Sequence, residues 1–137
     1  MMLTHNITYQ VNAEIEADDY ICLLQKTWLG QRRPIQDLQG IKGMLKHSNL
    51  MVFAWVDSEL IGISRAVRDF YYCCYLSDLA VAESYQKQGG GKKLIDLTAE
   101  QLQPNCKIIL LAAPQATDYY PHIGFEQHPS AWVKTYA

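Results

Sequence analysis

The chain of 137 residues has no apolar stretch near the roughly 20 residues that a membrane-spanning helix needs. Residues 1–10 also lack the basic-then-apolar order of a signal peptide. Neither sign of charge is in excess, with 12 Lys and Arg against 14 Asp and Glu, so no broad basic surface is available for nucleic acid. The four cysteines (Cys22, Cys73, Cys74 and Cys106) show no CxxC spacing. The adjacent pair Cys73-Cys74 would point to opposite faces of a strand, which suits neither a zinc site nor a disulfide. There is no internal repeat, low-complexity tract or linker. These absences predict one domain over residues 1–137 in the cytoplasm, with no metal and no membrane or nucleic-acid partner. Its thiols then serve as small hydrophobes, and its partner is a small molecule or a protein.

With 49% apolar residues, the chain is able to bury a core around a sheet. Residues 7–11 read as a short strand. Ala17, Asp18 and Asp19 place carboxylates at a helix start, ahead of Tyr20, Ile21, Leu23 and Leu24 on one helical face. Residues 30–34 break that helix, and Pro34 presets the backbone of a second one carrying Ile35, Leu38, Ile41, Met44 and Leu45. Residues 50–56 and 60–67 flank the polar Asp57-Ser58-Glu59 and predict a hairpin, and residues 71–81 add a third extended run. Residues 86–93 are rich in glycine and basic, and Leu94, Ile95, Leu97, Thr98 and Leu102 follow at helical spacing until Pro104. Residues 107–112 predict a buried strand, 116–122 a short helix and 132–136 a last strand. The order β-α-α-β-β-β-α-β-α-β predicts an α+β fold with one parallel crossover through the glycine-loop helix.

That crossover carries the chemistry. Gly89, Gly90 and Gly91 stand between a strand and a helix, where unshielded backbone N–H groups at a helix N-terminus form an anion cradle, with Lys92 and Lys93 adding charge. A diphosphate suits such a cradle. A nucleotide-binding Walker loop would need Ser or Thr after Lys92 and has Lys93; a dinucleotide fingerprint starting at Gly89 would need glycine at 94 and has Leu94.

The spacing Gln86-x-x-Gly89-x-Gly91, after a strand ending in Leu79-Ala80-Val81, resembles the coenzyme A signature of the GCN5-related N-acetyltransferase (GNAT) superfamily. A second match lies downstream, where Tyr120-Pro-His-Ile-Gly124-Phe125 has that family's tyrosine four residues before a Gly-Phe pair. Together with the element order, the resemblance covers essentially the whole chain.

The resemblance implies a mixed central sheet of six to seven strands, splayed between the fourth and the fifth. It implies acetyl-CoA as acetyl donor, with its pantetheine arm along the backbone of Leu79, Ala80 and Val81 and its diphosphate at Gln86, Gln88, Gly89, Gly90, Gly91 and Lys92. The Leu79 N–H would stabilise the oxyanion, and Tyr120 would act as general acid toward the departing thiolate, with Tyr119 as its rival. Gly90 departs from the family habit of a larger side chain between the motif glycines.

A base for the amine is not legible. The family's usual Glu position holds Tyr75, and among Asp69, Asp78, Glu83, Asp118 and His122 the least poor candidate is Asp78. Acceptor selectivity in the family comes from regions that here offer Trp28, Arg32, Arg33, Tyr71, Tyr72, His128 and Trp132. Aromatic rings near Asp69 and Asp78 would suit a small cationic amine. The expected reaction is direct transfer to a primary amine of a small molecule in a ternary complex. The other reading is a non-catalytic acyl-CoA sensor or interaction module. A homodimer through an exposed last strand would match family habit.

Overall fold

The structure, a computed structural model, describes residues 6–136. It places β1 at Thr8–Val11, α1 at Ala17–Gln25, α2 at Leu38–His47, β2 at Leu50–Val56, β3 at Glu59–Arg68 and β4 at Cys73–Val81. α3 follows at Gly90–Glu100, β5 at Lys107–Ile109 and α4 at Tyr119–His122. The sheet order is β1-β2-β3-β4-β5, antiparallel up to β4 and parallel between β4 and β5. α3 is the crossover that makes the last pair parallel.

The two hairpins form where the sequence changes from β-branched to turn chemistry. Asp57 takes a positive φ of 54° between β2 and β3, a conformation that Asp tolerates better than most residues. α2 starts at Leu38 and not at Pro34, because Asp37 is the effective cap: its side chain accepts from the Gly40 N–H at 3.0 Å.

Side chains alternate along β3. Gly62 and Ser64 turn toward α3, where a Cβ on Gly62 would lie 3.2 Å from Leu94 and the Ser64 and Thr98 hydroxyls bond at 2.7 Å. Arg65 turns to the other face, toward α1, where Tyr20, Leu23 and Leu24 are buried. Helices therefore cover both faces, with the principal core around Phe53, Ile61, Ile63 and Leu94.

Three sequence expectations change. The strand read at 107–112 pairs only through Ile109, since residues 110–113 diverge from β4 and lose their ladder. Residues 132–136 form no strand: they run exposed and pair with no edge, and an isolated strand is not stable in water. Among the described residues the sheet accordingly has five strands, not six or seven.

Candidate active site

The site begins as a defect in β4. Arg65 pairs with Asp78 while Ala66 pairs with Leu76, so Ser77 is an extra residue, a β-bulge. Beyond it the ladder to β3 resumes, and the Ala82 N–H donates to the Ile61 carbonyl at 2.8 Å. In an antiparallel ladder alternate residues bond to opposite sides. Ala82, Ala80 and Asp78 thus face β3, and the N–H groups of Leu79 and Val81 face the other way. There β5 has already left, because its pairing ends at Tyr75 with Ile109. The result is a V-shaped gap with two backbone donors on one wall.

The glycine turn closes its wide end. Gln86 folds back and its amide donates to the Val81 carbonyl at 3.0 Å, which consumes an acceptor and leaves the neighbouring N–H groups alone. Lys87 and Gly89 both have positive φ, 64° and 81°. Gly89 is the N-cap of α3 and provides no side-chain cap, and the first turn carries no carboxylate. The first intrahelical bond is Lys93 N–H to the Gly89 carbonyl at 3.0 Å, so the N–H groups of Gly90, Gly91 and Lys92 have no helical acceptor. Uncapped donors on an 11-residue helix fit an anion such as a diphosphate. Lys92 is ion-paired with Asp96 at 2.9 Å, and neither it nor Gln88 lines the cleft.

The Tyr-x-x-x-Gly-Phe spacing has a local cause. Gly124, at φ 100°, ends α4 in the left-handed region, with its N–H on the Pro121 carbonyl and the Phe125 N–H on the Tyr120 carbonyl at 3.0 Å. This Schellman closure turns Phe125 back onto Tyr120, the rings meeting edge-to-face with centroids 5.5 Å apart. Tyr120 is half-buried, and burial, then Tyr119, raises its phenol above the usual value. Tyr119 turns elsewhere: a Cβ on Gly91 would lie 2.7 Å from its hydroxyl. The two tyrosines thus divide the cleft, one beside the helix N-terminus and one in the β4–β5 gap.

Asp78 is not in the gap. It is fully buried on the opposite face of β4, where it accepts from the Tyr20 hydroxyl, from Arg65 Nε at 2.6 Å and from Arg33 Nε at 2.7 Å. Burial would raise its carboxyl, but the bonds and charge of Arg65, the Tyr20 hydroxyl and the Arg33 charge outweigh burial and hold it below its ordinary value. A carboxylate so saturated and shielded does not meet an amine, which corrects the expectation of Asp78 as base.

Its role is visible in the bonds around it. Arg33 also donates to the Ser77 carbonyl at 2.5 Å, and Arg65 donates to the Ser77 hydroxyl at 3.0 Å. The cluster therefore clamps the bulge that aims Leu79. Sequence reading missed it, since the partners lie 13, 45 and 58 positions from Asp78 and nothing local marks them.

These parts line one cleft of about 590 Å3 between residues 25–33, β4, the glycine turn, residues 110–116 and the two tyrosines. Leu79, Ala80, Val81, Gln86, Gly89, Gly90, Gly91 and Tyr120 are all in its wall. Asp69 lies elsewhere, accepting three backbone N–H groups in the β3–β4 turn, which lower its carboxyl to about 2. Among the described residues no group of three or more His, Cys, Asp or Glu is placed to hold a metal, and no helix is long and apolar enough to cross a membrane.

The chain is similar to GCN5-related N-acetyltransferase 2, chloroplastic, of Arabidopsis thaliana, with 37% identity over 75 residues, 53% of this chain and 29% of that protein. It spans about half the length, or less, of the first curated relatives it matches. A GNAT-family acetyltransferase of Streptococcus pneumoniae has the same fold, with TM-score 0.76, 22% identity and coverage of 94% of this chain and 98% of that one. So does the aminoglycoside N-acetyltransferase AAC(6')-Iy in complex with CoA, with TM-score 0.73, 16% identity and coverage of 99% and 98%. The model of the acetyltransferase (GNAT) domain matches residues 11–135, and the chain belongs to that family.

Proposed function

We propose that this protein transfers the acetyl group of acetyl-CoA to a primary amine of a small molecule by direct attack in a ternary complex. One observation carries the reading: a single cleft runs from the uncapped N-terminus of α3, past the free N–H groups of Val81 and Leu79, to Tyr120. The helix N-terminus and Gly89, Gly90 and Gly91 hold the diphosphate. The Val81 N–H donates to a carbonyl of the pantetheine arm, which lies along Leu79, Ala80 and Val81 as an added strand would. The Leu79 N–H, held by the clamped bulge, stabilises the charge that develops on the thioester oxygen. As the amine nitrogen bonds to the carbonyl carbon and the C–S bond breaks, Tyr120 gives its proton to the leaving sulfur. Its raised phenol keeps that proton available near neutrality. The proton lost by the amine nitrogen passes to water, from which the phenolate is reprotonated.

The chemistry supplied by the bound donor is an activated acetyl thioester. The complex of the aminoglycoside acetyltransferase with CoA supports the donor assignment. Four unpaired cysteines suit a reducing compartment, either the cytoplasm or the plastid that the Arabidopsis relative's name indicates. Trp132, Val133 and Tyr136, 91%, 74% and 80% exposed, leave an apolar tail for a second copy of the chain, to be checked by light scattering.

The assay is release of free coenzyme A thiol across an amine panel, with thermal unfolding as a binding control. At a hundredfold excess over Kd, coenzyme A is expected to add about 2.7 kcal/mol of stability, and ATP none. Protection by ATP alone would overturn the donor assignment. Binding without turnover, and no effect of Tyr120→Phe, would instead identify an acyl-CoA sensor.

A further inference from the structure

We infer that the acceptor carries an oxyanion, a carboxylate or a phosphate, bound by Arg32 at the end of the cleft remote from the diphosphate cradle. The inference rests on the acetyl-transfer reading and names the substrate class for that same cleft.

Residues 26–33 run back along β4. At one end the Glu83 N–H bonds to the Lys26 carbonyl at 3.1 Å; at the other, Arg33 bonds to the Ser77 carbonyl at 2.5 Å. Ser77 and Glu83 are six residues apart, roughly 20 Å of extended chain. Arg32 therefore stands at the bulge end, where the acetyl carbon is to be attacked, and not beside the glycine turn.

Arg32 is exposed and lines the cleft, and its guanidinium has no hydrogen bond or ion pair to the described residues. Arg33, its neighbour, is committed to Asp78, the Ser77 carbonyl and the Arg32 carbonyl. Beneath them two buried or half-buried cations, Arg33 and Arg65, share the single carboxylate of Asp78, which leaves positive charge uncompensated at this end. Among the described residues the one carboxylate in the cleft wall, Glu83, is at the opposite end, and Asp69 is not in the wall.

A polycationic acceptor finds no counter-charge here. An oxyanion finds a free, forked guanidinium whose geometry matches a carboxylate or phosphate. The same positive charge disfavours the protonated form of a nearby amine and so favours the neutral nucleophile, at a site where Asp78 is unavailable as base.

The test is kcat/KM for coenzyme A release with matched pairs: glycine and glycinamide, β-alanine and β-alaninamide, O-phosphoethanolamine and ethanolamine, with sisomicin as polycation. At least one anionic member is expected to exceed its uncharged partner tenfold or more, the pair revealing carboxylate or phosphate. Arg32→Gln is expected to bring that pair near parity through the KM of the amine, without raising the KM of acetyl-CoA. Arg32→Lys should retain part of the preference.

Parity in the wild type, preference for sisomicin, absence of turnover with every anionic member while acetyl-CoA binds, or a preference that survives Arg32→Gln would each overturn the inference. Loss of acetyl-CoA binding by the wild type is a different result, and it overturns the acetyl-transfer reading itself.

Discussion

Two adjacent glycines in the turn before α3 answer different needs. Gly89 has φ of 81°, where a side chain is strained, so Gly89→Ala is expected to cost about 1 kcal/mol of stability and to weaken coenzyme A binding. Gly90 has an ordinary backbone, and a Cβ there would meet Val81 at 3.8 Å, normal contact. Gly90→Ala should therefore stabilise by about 0.4–1 kcal/mol through the unfolded chain. Urea midpoints of the two variants should move in opposite directions.

Tyr120→Phe removes the proposed proton donor and little else. It is expected to lower kcat by at least about a hundredfold with acetyl-CoA affinity nearly unchanged. Because burial, then Tyr119, raises the phenol above its usual value of about 10, wild-type kcat should show no alkaline loss below about pH 10. A descending limb near pH 8 in the wild type that Tyr120→Phe lacks would mean that the phenol titrates below its usual value, against the raised direction its burial gives.

At the scale of elements, β4 is the part on which the others act. Its bulge at Ser77 is clamped from α1 by Tyr20 through Asp78, from β3 by Arg65 and from the loop before α2 by Arg33. Asp78→Asn would strand two cations, one with a side chain only 7% exposed, and should cost about 3–5 kcal/mol in chemical denaturation. The more exposed Arg33 should cost less stability when changed to Met. Its kcat should still fall, because the Ser77 carbonyl is released next to Leu79, the proposed donor to the thioester oxygen.

What the sequence disclosed at this scale was periodic or consecutive. The glycine turn and α3 are legible in consecutive glycines and helical spacing, whereas Gln86 and the Tyr120–Phe125 closure are legible through the resemblance to the GNAT superfamily. The clamp joins four distant segments, and Asp78 read in isolation looked like a candidate base. The run at 132–136 is aromatic and β-branched like a strand, yet pairing depends on a neighbour that sequence pattern does not supply. The early end of β5 was invisible for the same reason, since divergence from β4 is a property of two strands together.

At the scale of the whole molecule, the buried carboxylate of Asp78 contributes to acid sensitivity alongside Asp69, whose carboxyl is lowered to about 2. Asp78 has a depressed folded-state pKa, so on acidification the unfolded chain takes up its proton first. The cluster's contribution is therefore present above the unfolded value of about 3.9 and is lost as pH falls through the lower folded value. Thermal unfolding from pH 7 to pH 3 should show a decline that is shallower in Asp78→Asn. Equal slopes would mean that other carboxylates dominate.

Gln86 has a final effect that concerns other polypeptides. A splayed sheet exposes backbone inside the molecule, and an open edge invites foreign strands to add on, the first step of aggregation. An intruding strand must meet donors and acceptors in alternation, but the Gln86 amide already occupies the carbonyl of Val81. The vacancy is thus mismatched to ordinary peptide backbone while keeping its N–H groups for a ligand richer in carbonyls, so the turn proposed to receive the cofactor also guards the gap against the wrong chain.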